Sequence, residues 1–229
     1  MSIIVADRVK SLRYTDSVGD TNSIHRSDAS AKRYGLEGAI APGMWLASHI
    51  QDREGISSIK QIKFSGSVPY GTNVDFSESR RMTSLDAGFT LDGNQVCYVK
   101  GIKKGGIYSS APGDLSEVVH TFSVDICPER MALFLNSIGL ASDSIVLPEM
   151  YLASLSAPAL LSLGRERGLE GIHVSQSFNM HRRYAPGGID VLIGDRREKG
   201  SLEYFDLRWI QNGEVVASGK SGVAILEKN

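Results

Sequence analysis

The spacing of apolar and polar residues predicts β-strands in the first half of the chain. Over residues 62–68, apolar or small residues alternate with polar ones, which is typical of a strand with one buried face. Residues 73–79 form a second alternating segment. A third predicted strand, residues 96–102, follows a hairpin turn at residues 91–95 that contains an Asp-Gly pair.

The second half repeats this arrangement of strands. Residues 202–210 and 215–226 are predicted strands, and Asn212-Gly213 between them favours the tight turn of a β-hairpin. A predicted long helix precedes the strands in each half, at about residues 43–52 and 149–167. Both segments are apolar on too many sides for surface helices, so we expect both helices to be enclosed.

Sequence matches between the halves indicate an internal duplication. Residues 40–48 and 146–154 share proline, methionine, an aromatic residue, leucine, alanine and serine in register. Two weaker matches follow in the same order, and a period near half the chain indicates two fused copies of one small domain. We expect copies at residues 1–112 and 113–229, with residues 164–171 as the main insertion in the second.

One buried helix followed by an antiparallel sheet that wraps it is an α+β layout. Two such sheets can pair edge to edge and so cover each other's exposed strands. The sequence therefore predicts an α+β protein made of two similar units.

Composition narrows the classes of function. The 229 residues are 41% hydrophobic and 22% charged, with a formal net charge of -1. A nearly neutral chain argues against non-specific nucleic-acid binding, and no apolar run reaches the roughly 18 residues of a membrane span. Cys97 and Cys127 are far apart, which suits buried thiols in a reducing compartment. We expect a cytoplasmic protein with no nucleic-acid or membrane partner and no metal site.

Three residues near the N-terminus carry the strongest chemical signal. Asp20, Asn22 and His25 supply an acid, an amide and an imidazole within six residues. On a continuous helix, Asp20 and His25 would be about 140° apart, so they converge only if a loop leads into a short helix between them. A carboxylate and an imidazole that share one water can hold it and take its proton, and Asn22 can orient either group.

Pro42-Gly43 opens the first predicted helix. Addition of water to a double bond conjugated with a carbonyl places enolate charge on the carbonyl oxygen, which a backbone N–H at a helix N-terminus can stabilise. Gly43 lies at that position, and because it has no side chain it allows a carbonyl to approach closely.

The segments Gly19-Asp-Thr-Asn-Ser-Ile-His25 and Ile40-Ala-Pro-Gly-Met44 together resemble the signature of the MaoC-like, (R)-specific enoyl-CoA hydratases of the hot-dog superfamily. The resemblance implies a tandem, or double, hot-dog fold in which Asp20 and His25 activate water. It further implies that the Gly43 amide binds the thioester oxygen, and that the pantetheine arm of the substrate enters between the two units. Pro42 and Met44 are expected to contact the substrate.

Two residues depart from the family pattern. Ser23 replaces a proline, which loosens the turn after Asn22, and Pro42 replaces a histidine that water activation does not need. Neither change removes a reacting group, although either can shift the choice of substrate.

The second copy lacks the reactive pair. Carrying the helix register back from residue 146 aligns Ile126 with Asp20 and Met131 with His25, and neither can move a proton. We therefore expect a degenerate unit that completes the sheet and walls the substrate tunnel.

A basic cluster near a predicted strand end has two interpretations. Arg182 and Arg183 follow His173 and His181, and the arginines can meet the phosphates of coenzyme A or form a solvated face. We include Arg182 and Arg183 as weak candidates for substrate binding, with a solvated face as the alternative.

The sequence thus predicts a hydro-lyase acting on acyl thioesters, with no resident cofactor. Coenzyme A and acyl-carrier protein are both open as the thioester carrier, and the chain can act as a monomer or a homodimer. Two other functions stay open, a hot-dog thioesterase and a non-catalytic acyl-thioester binding module. The intact Asp20/His25 pair argues against both, because neither function requires it.

Overall fold

The computed structural model describes residues 2–50, 56–81, 84–104, 108–141 and 148–226. Within them, each half contributes five strands to one antiparallel sheet. The strands are β1 (Ser2–Val5), β2 (Ile56–Phe64), β3 (Asn73–Arg80), β4 (Ser84–Leu91), β5 (Asn94–Lys104), β6 (Val118–Ile126), β7 (Glu170–Met180), β8 (Gly187–Lys199), β9 (Leu202–Gln211) and β10 (Glu214–Leu226).

The helices differ between the halves. Those of the first half are α1 (Arg8–Val18), a 3₁₀ helix (Ser23–His25), α2 (Asp28–Lys32) and α3 (Gly43–Ser48). Those of the second half are α4 (Pro128–Ser137), α5 (Glu149–Ser154) and α6 (Ser156–Glu166).

The order of the strands shows that the two halves have the same topology, counted outward from the centre of the sheet. The order is β1-β3-β4-β5-β2-β7-β10-β9-β8-β6. Counted outward from the centre, β2 corresponds to β7, β5 to β10, β4 to β9, β3 to β8 and β1 to β6. The predicted boundary at residue 112 lies between β5 and β6 and stays a prediction.

The two halves join where β2 and β7 pair antiparallel. Ile59 lies opposite Phe178 and Lys63 lies opposite Ser175, with a register shift between Ile59 and Ile62. The join leaves neither central strand with an unpaired edge, as predicted from the sequence. The buried side chains of both halves form one continuous hydrophobic core, which includes Ile59 and Phe178.

The predicted hairpins are confirmed. Asp92 and Gly93 have φ angles of 50° and 77°, and Asn212 and Gly213 have φ angles of 52° and 78°. Two consecutive positive φ angles define the tight turn that matches the twist of paired strands.

The predicted long helices are wrong in length. α3 ends at Ser48, and residues 51–52, which the prediction included, lie outside the described residues. In the second half, the predicted helix is divided at Leu155 into α5 and α6. The division has a local cause, because Pro158 has no N–H to donate to the carbonyl of Ser154 and its ring crowds that group.

The first predicted strand is also displaced. β2 ends at Phe64, whereas the alternating pattern predicted a strand through residue 68. Ser65 still donates its amide to the carbonyl of Val96, at 3.0 Å, but the following residues leave the sheet. Val68 is buried, and its carbonyl accepts a hydrogen bond from the Ala41 amide at 2.8 Å. The alternating pattern thus agrees with the burial of Ile62 and Val68, but Gly66 is exposed and the strand has already ended.

Candidate active site

The backbone at the end of α1 delivers Asp20 into the interior. Gly19 terminates the helix in the left-handed conformation, with φ 80°, and the Asp20 amide donates to the Thr15 carbonyl at 2.8 Å. This is a Schellman-type helix end, which glycine adopts without steric cost. The guanidinium of Arg26 donates to the Asp20 carbonyl at 3.2 Å. Asp20 is only 4% exposed.

Hydrogen bonds hold both the imidazole ring and the backbone carbonyl of His25. Its Nδ1 lies 2.9 Å from the carbonyl oxygen of Ile40, and the Tyr70 hydroxyl donates to the His25 carbonyl at 2.9 Å. A carbonyl only accepts hydrogen bonds, so this contact assigns the proton to Nδ1 and leaves the lone pair of a neutral ring on Nε2.

The reactive atoms of the two side chains face each other across a gap. His25 Nε2 and Asp20 Oδ2 are 3.8 Å apart, which is too long for a direct hydrogen bond. The other oxygen of Asp20, Oδ1, accepts a hydrogen bond from the backbone N–H of Asn22 at 2.9 Å. Oδ2 and Nε2 are therefore both available to a small molecule held between them.

Asn22 contributes through its backbone to Asp20 and through its side chain elsewhere. Its Oδ1 accepts from the Ile24 amide at 3.3 Å, which caps the 3₁₀ helix that carries His25. Its Nδ2 reaches the Gly171 carbonyl in β7 at 3.5 Å. The predicted loop leading into a short helix is confirmed, and it is fastened to the second half.

Gly43 begins α3 beside the pair, and a side chain there would meet Phe64. A Cβ built on Gly43 would lie 2.6 Å from the ring of Phe64, so close packing explains why glycine is required. The Gly43 amide has no hydrogen-bond partner among the described residues. It is thus free to donate to a ligand.

Asp20, Asn22, His25, Pro42, Gly43 and Met44 all line one cavity of about 390 Å³. Both halves build this cavity, since its second-half wall comes from α6, the start of β7 and residues of β9 and β10. Most of that wall is apolar, and its members include Leu160, Leu161, Phe205, Val223 and Ile225.

An ion-pair network interrupts the apolar wall. Arg167 binds both carboxylate oxygens of Glu203, at 2.6 and 2.8 Å, and Arg196 binds the same carboxylate at 2.7 Å. The hydrogen bonds from Arg167 hold the pKa of Glu203 at about 2, well below its usual value. No local sequence pattern predicts this network, because its members lie at the end of α6, in β8 and in β9.

His173 is a second residue whose place the sequence did not reveal. The sequence associates it with the predicted basic cluster of Arg182 and Arg183, whereas in the structure it lies within β7 and lines the cavity. Its ring meets that of Phe64 edge-on, with centroids 5.6 Å apart. The pairing of β7 with β2 of the first half brings it there, and no short motif encodes that pairing.

Arg182 and Arg183 do not line the cavity, and their expected contact with the phosphates of coenzyme A stays a prediction. Both follow the far end of β7, roughly 30 Å along the chain from His173 at the rise of a strand. Arg182 forms an ion pair with Glu214, and Arg183 is exposed. The structure brings neither to the residues around Asp20.

The predicted counterparts of the reactive pair in the second half need correction. The Leu140 amide donates to the Leu135 carbonyl at 2.9 Å after Gly139, whose φ is 79°, as Asp20 does after Gly19. Leu140, rather than Ile126, therefore corresponds to Asp20. The alignment of Met131 with His25 fails equally, because Met131 lies in α4.

The error has a simple origin. Twenty-two residues separate Gly19 from Pro42, but only eight separate Gly139 from Pro148. The first half carries its own insertion, which includes the 3₁₀ helix and α2, so a register carried back through it is shifted. The conclusion that the second half has no counterpart of Asp20 stands with the corrected alignment.

Two further features of the described residues bear on function. No group of three or more metal-ligating side chains is present in them. None of their helices has both the length and the apolar character needed to cross a membrane.

Known structures define the fold. No protein-family model and no curated protein sequence matches the chain. A putative MaoC domain protein dehydratase from Chloroflexus aurantiacus superimposes with a TM-score of 0.68 at 10% identity, covering 100% of this chain and 94% of the other. A Mycobacterium tuberculosis protein described as having a double hot-dog fold gives 0.64 at 9% identity, covering 98% and 94%.

The chain therefore has the double hot-dog fold. Proteins described as a putative MaoC domain dehydratase and a MaoC-like dehydratase share it over 94% and 96% of their length. A putative thioesterase from Novosphingobium aromaticivorans shares it with a TM-score of 0.55 at 18% identity, covering 82% of this chain and 88% of the other. At these identities the likeness defines the architecture, and function has to be argued from the site.

Proposed function

We propose that the chain is a hydro-lyase that interconverts trans-2-enoyl thioesters and (R)-3-hydroxyacyl thioesters. The observation that carries the proposal is the 3.8 Å gap between Asp20 Oδ2 and His25 Nε2, in a buried cavity that Gly43 also lines. The fold shared with MaoC-like dehydratases supports the same class of reaction. The (R) configuration is carried over from the sequence resemblance.

In hydration, one water bridges the two reactive atoms and lies against C3 of the enoyl group. Asp20 Oδ2 accepts one hydrogen bond, while the lone pair of His25 Nε2 accepts the other and takes the proton as the water oxygen bonds to C3. The imidazolium, stabilised by the Asp20 carboxylate, then gives a proton to C2. Both new bonds form on one face, and the reverse sequence is dehydration.

Negative charge moves to the thioester oxygen as the C3–O bond forms. The unpartnered Gly43 amide donates to that oxygen in the proposed complex, which lowers the energy of the enolate. Ile40 links the two parts of the site, because its carbonyl holds His25 Nδ1 and the chain reaches Gly43 three residues later.

The thioester substrate brings its own pantetheine arm, so no resident cofactor takes part in this scheme. Coenzyme A and acyl-carrier protein present the same arm, and the proposal covers both. We propose a cytoplasmic protein that acts as one double hot-dog chain or as a homodimer.

The decisive experiment follows the absorbance band of the conjugated thioester in crotonyl-CoA with purified protein. We expect loss of the band without release of free thiol, and we expect His25→Ala to abolish that loss. Hydration at an equal rate in wild type, Asp20→Asn and His25→Ala would overturn the assignment of the site.

A thioesterase is the second candidate, because solved structures described as putative thioesterases share the fold. Hydrolysis would release free thiol from saturated acyl-CoA and would not need His25. A non-catalytic binding module would bind thioesters without turnover, and Asp20→Asn would leave its affinity unchanged. The same assay, read for thiol and for binding, separates the three functions.

A further inference from the structure

Arg26 links the two members of the reactive pair without lining the cavity. Its backbone ends the 3₁₀ helix that carries His25, where the Arg26 amide donates to the Ser23 carbonyl at 3.1 Å. Its guanidinium reaches back to the end of α1 and donates to the Asp20 carbonyl at 3.2 Å. One residue therefore joins the backbone of Asp20 to the short helix of His25.

Two further acceptors anchor the guanidinium at the end of α1. The same nitrogen, Nη2, lies 3.0 Å from the Thr15 hydroxyl oxygen and 2.6 Å from Asp16 Oδ1. Thr15 is fully buried, and its carbonyl accepts the Gly19 and Asp20 amides that close the helix. The helix dipole also favours a cation at this end. The guanidinium is thus bound to the turn that delivers Asp20 into the interior.

The proposed reaction brings an attraction across the gap that Arg26 spans. When His25 takes the proton of the water, its imidazolium faces the Asp20 carboxylate, and such a pair forms a direct hydrogen bond of about 2.8 Å when nothing holds it apart. The reactive atoms are 3.8 Å apart in the structure. An approach of about 1 Å would join Oδ2 to Nε2 directly and leave neither atom for a water.

The backbone of each reactive residue is held by a different donor. The Tyr70 hydroxyl donates to the His25 carbonyl at 2.9 Å, and the guanidinium of Arg8 lies over the Tyr70 ring, 5.5 Å from its centroid. Arg26 donates to the Asp20 carbonyl, and no other donor among the residues that the structure describes reaches that oxygen. Arg26 is therefore the support of the Asp20 side of the gap.

We propose that Arg26 is a positioning residue, which keeps Asp20 and His25 far enough apart for one water to lie between them. This inference rests on the proposed hydration reaction. By tying the end of α1 to the 3₁₀ helix, the guanidinium fixes the separation of the two backbone segments and, through them, the gap between the reactive atoms. Arg26 makes no contact with the substrate in this scheme, because it lies outside the cavity lining.

The test compares wild type with Arg26→Met, which removes every donor of the side chain and keeps an unbranched stem. A displacement of about 1 Å in a reacting group can lower a rate about 10²-fold, so we expect kcat for crotonyl-CoA hydration to fall about 10- to 100-fold. KM should stay within about twofold of wild type, because the residues that line the cavity are unchanged.

Arg33→Met is the matched control. Arg33 follows α2 in the same inserted segment, and its guanidinium donates to the Ser30 hydroxyl at 3.3 Å. The change removes the same charge and the same donors from a place that does not hold the reactive pair. We expect kcat and KM of this variant to equal those of wild type.

Nitrogen NMR of the His25 ring gives a readout that needs no turnover. The contact of Nδ1 with the Ile40 carbonyl predicts one protonated and one unprotonated ring nitrogen in wild type at mildly alkaline pH. In Arg26→Met, direct contact with the Asp20 carboxylate should place a proton on Nε2 as well, so that both nitrogens are protonated at the same pH. His25→Gln identifies the signal by removing it.

Thr15→Val tests the same link from α1. Valine keeps the size of Thr15 but removes the hydroxyl that Arg26 binds, so we expect a smaller fall in kcat. The double variant Thr15→Val/Arg26→Met should have the kcat of Arg26→Met, since the two residues act through one contact. Urea denaturation shows whether each variant is folded, and Thr15→Val carries the test if Arg26→Met is not.

Three outcomes overturn the inference: wild-type kcat in Arg26→Met, a rise in KM alone, or a fall in kcat while the His25 ring keeps one unprotonated nitrogen. Losses that add in the double variant would also overturn it. If wild type does not hydrate crotonyl-CoA, the hydratase is refuted, and the protonation of His25 in Arg26→Met still decides whether Arg26 sets the gap. Hydration by wild type with an unchanged ring in Arg26→Met refutes only the role of Arg26.

Discussion

The two halves of this chain share a scaffold and differ in the chemistry placed on it. After the glycine that ends the first long helix of each half, the next residue is Asp20 in one and Leu140 in the other. After the following proline, the next helix begins with Gly43 in one and with Glu149 in the other. At these equivalent positions, the first half carries an aspartate and a glycine, whereas the second half carries a leucine and a glutamate.

The scaffold contacts, in contrast, are duplicated across the pseudo-symmetric centre. The indole N–H of Trp45 donates to the Ser137 carbonyl at 3.1 Å, and the hydroxyl of Tyr151 donates to the Ser17 carbonyl at 2.9 Å. Each central helix thereby holds the end of the other half's first helix. The packing of the scaffold therefore depends on both copies, whereas the proposed chemistry depends on one.

The second half nevertheless takes part in the site. Arg165 donates to the Thr21 hydroxyl at 2.7 Å. The side-chain amide of Asn22 donates to the Gly171 carbonyl at 3.5 Å. Ile172 packs on the small apolar cluster that holds the inserted segment of the first half. The second half therefore supplies contacts that order the loop carrying Asp20 and Asn22 in the first half.

The largest expected effect separates the two helix ends. Asp20→Asn keeps the size of the side chain but removes the charge that holds water, and we expect kcat for crotonyl-CoA hydration to fall about 10²- to 10⁴-fold. Leu140→Asn is the matched change at the corresponding position and should leave kcat within about twofold. Comparable losses in both variants would contradict the assignment of the site to one half.

The second prediction concerns the two helix starts. Gly43→Ala places a Cβ 2.6 Å from the Phe64 ring, so we expect a loss of about 1–3 kcal/mol in the free energy of unfolding. The corresponding Glu149 already carries a side chain, and a Cβ is tolerated there. Urea denaturation measures the effect.

The control for this prediction is the double variant Gly43→Ala/Phe64→Leu. Removing the ring should recover most of the stability, as a double-mutant cycle will show. If Phe64→Leu and Gly43→Ala instead add independently, close contact with the ring is not the reason for glycine.

The third prediction tests the ion pairs of Glu203, which has an apolar counterpart in β4, the strand that corresponds to β9. In β9, Glu203 shares a buried face with Phe205, Leu207 and Trp209, whereas the buried positions of β4 are apolar. Glu203→Gln removes the charge that Arg167 and Arg196 bind, and we expect a loss of about 1–2 kcal/mol at pH 7.

The pH dependence of that loss has a definite sign. The folded-state pKa of Glu203 is about 2, against an ordinary value of 4.5. Its contribution is therefore fully present above about pH 4.5 and declines as pH falls toward 2. The stability difference between wild type and Glu203→Gln, measured at pH 7, 4 and 3, should shrink accordingly, and a constant difference would show that packing and not charge is responsible.

Local rules recovered much of this molecule from its sequence. The Asp92-Gly93 and Asn212-Gly213 turns and the loop leading into a short helix between Asp20 and His25 follow from short-range patterns. In each case, the signal and the structure lie within a few residues, so backbone conformational preferences decide the outcome.

The misplaced features depend on contacts between distant segments. His173 and Glu203 reach the cavity through strand pairing across and beside the join between the halves, and nothing in their local sequence encodes that. The helix break before α6 required weighing one proline, Pro158, against a long apolar run. Ile126 was aligned with Asp20 because the inserted segment of the first half has no counterpart to reveal its length.

The smallest expected effect lies where the halves are most alike. Ser48 Oγ donates to the Met44 carbonyl at 2.7 Å and Ser154 Oγ to the Met150 carbonyl at 2.6 Å, and the two hydroxyl oxygens are 3.5 Å apart. Each bond returns to the helix's own backbone four residues earlier, so its net contribution is modest. We expect Ser48→Ala and Ser154→Ala each to change the unfolding free energy by less than about 1 kcal/mol. Urea denaturation should give equal values for the two variants, because the helices meet at this point as equivalents. A difference above about 1 kcal/mol would mean that the asymmetry of the candidate active site extends into the shared scaffold.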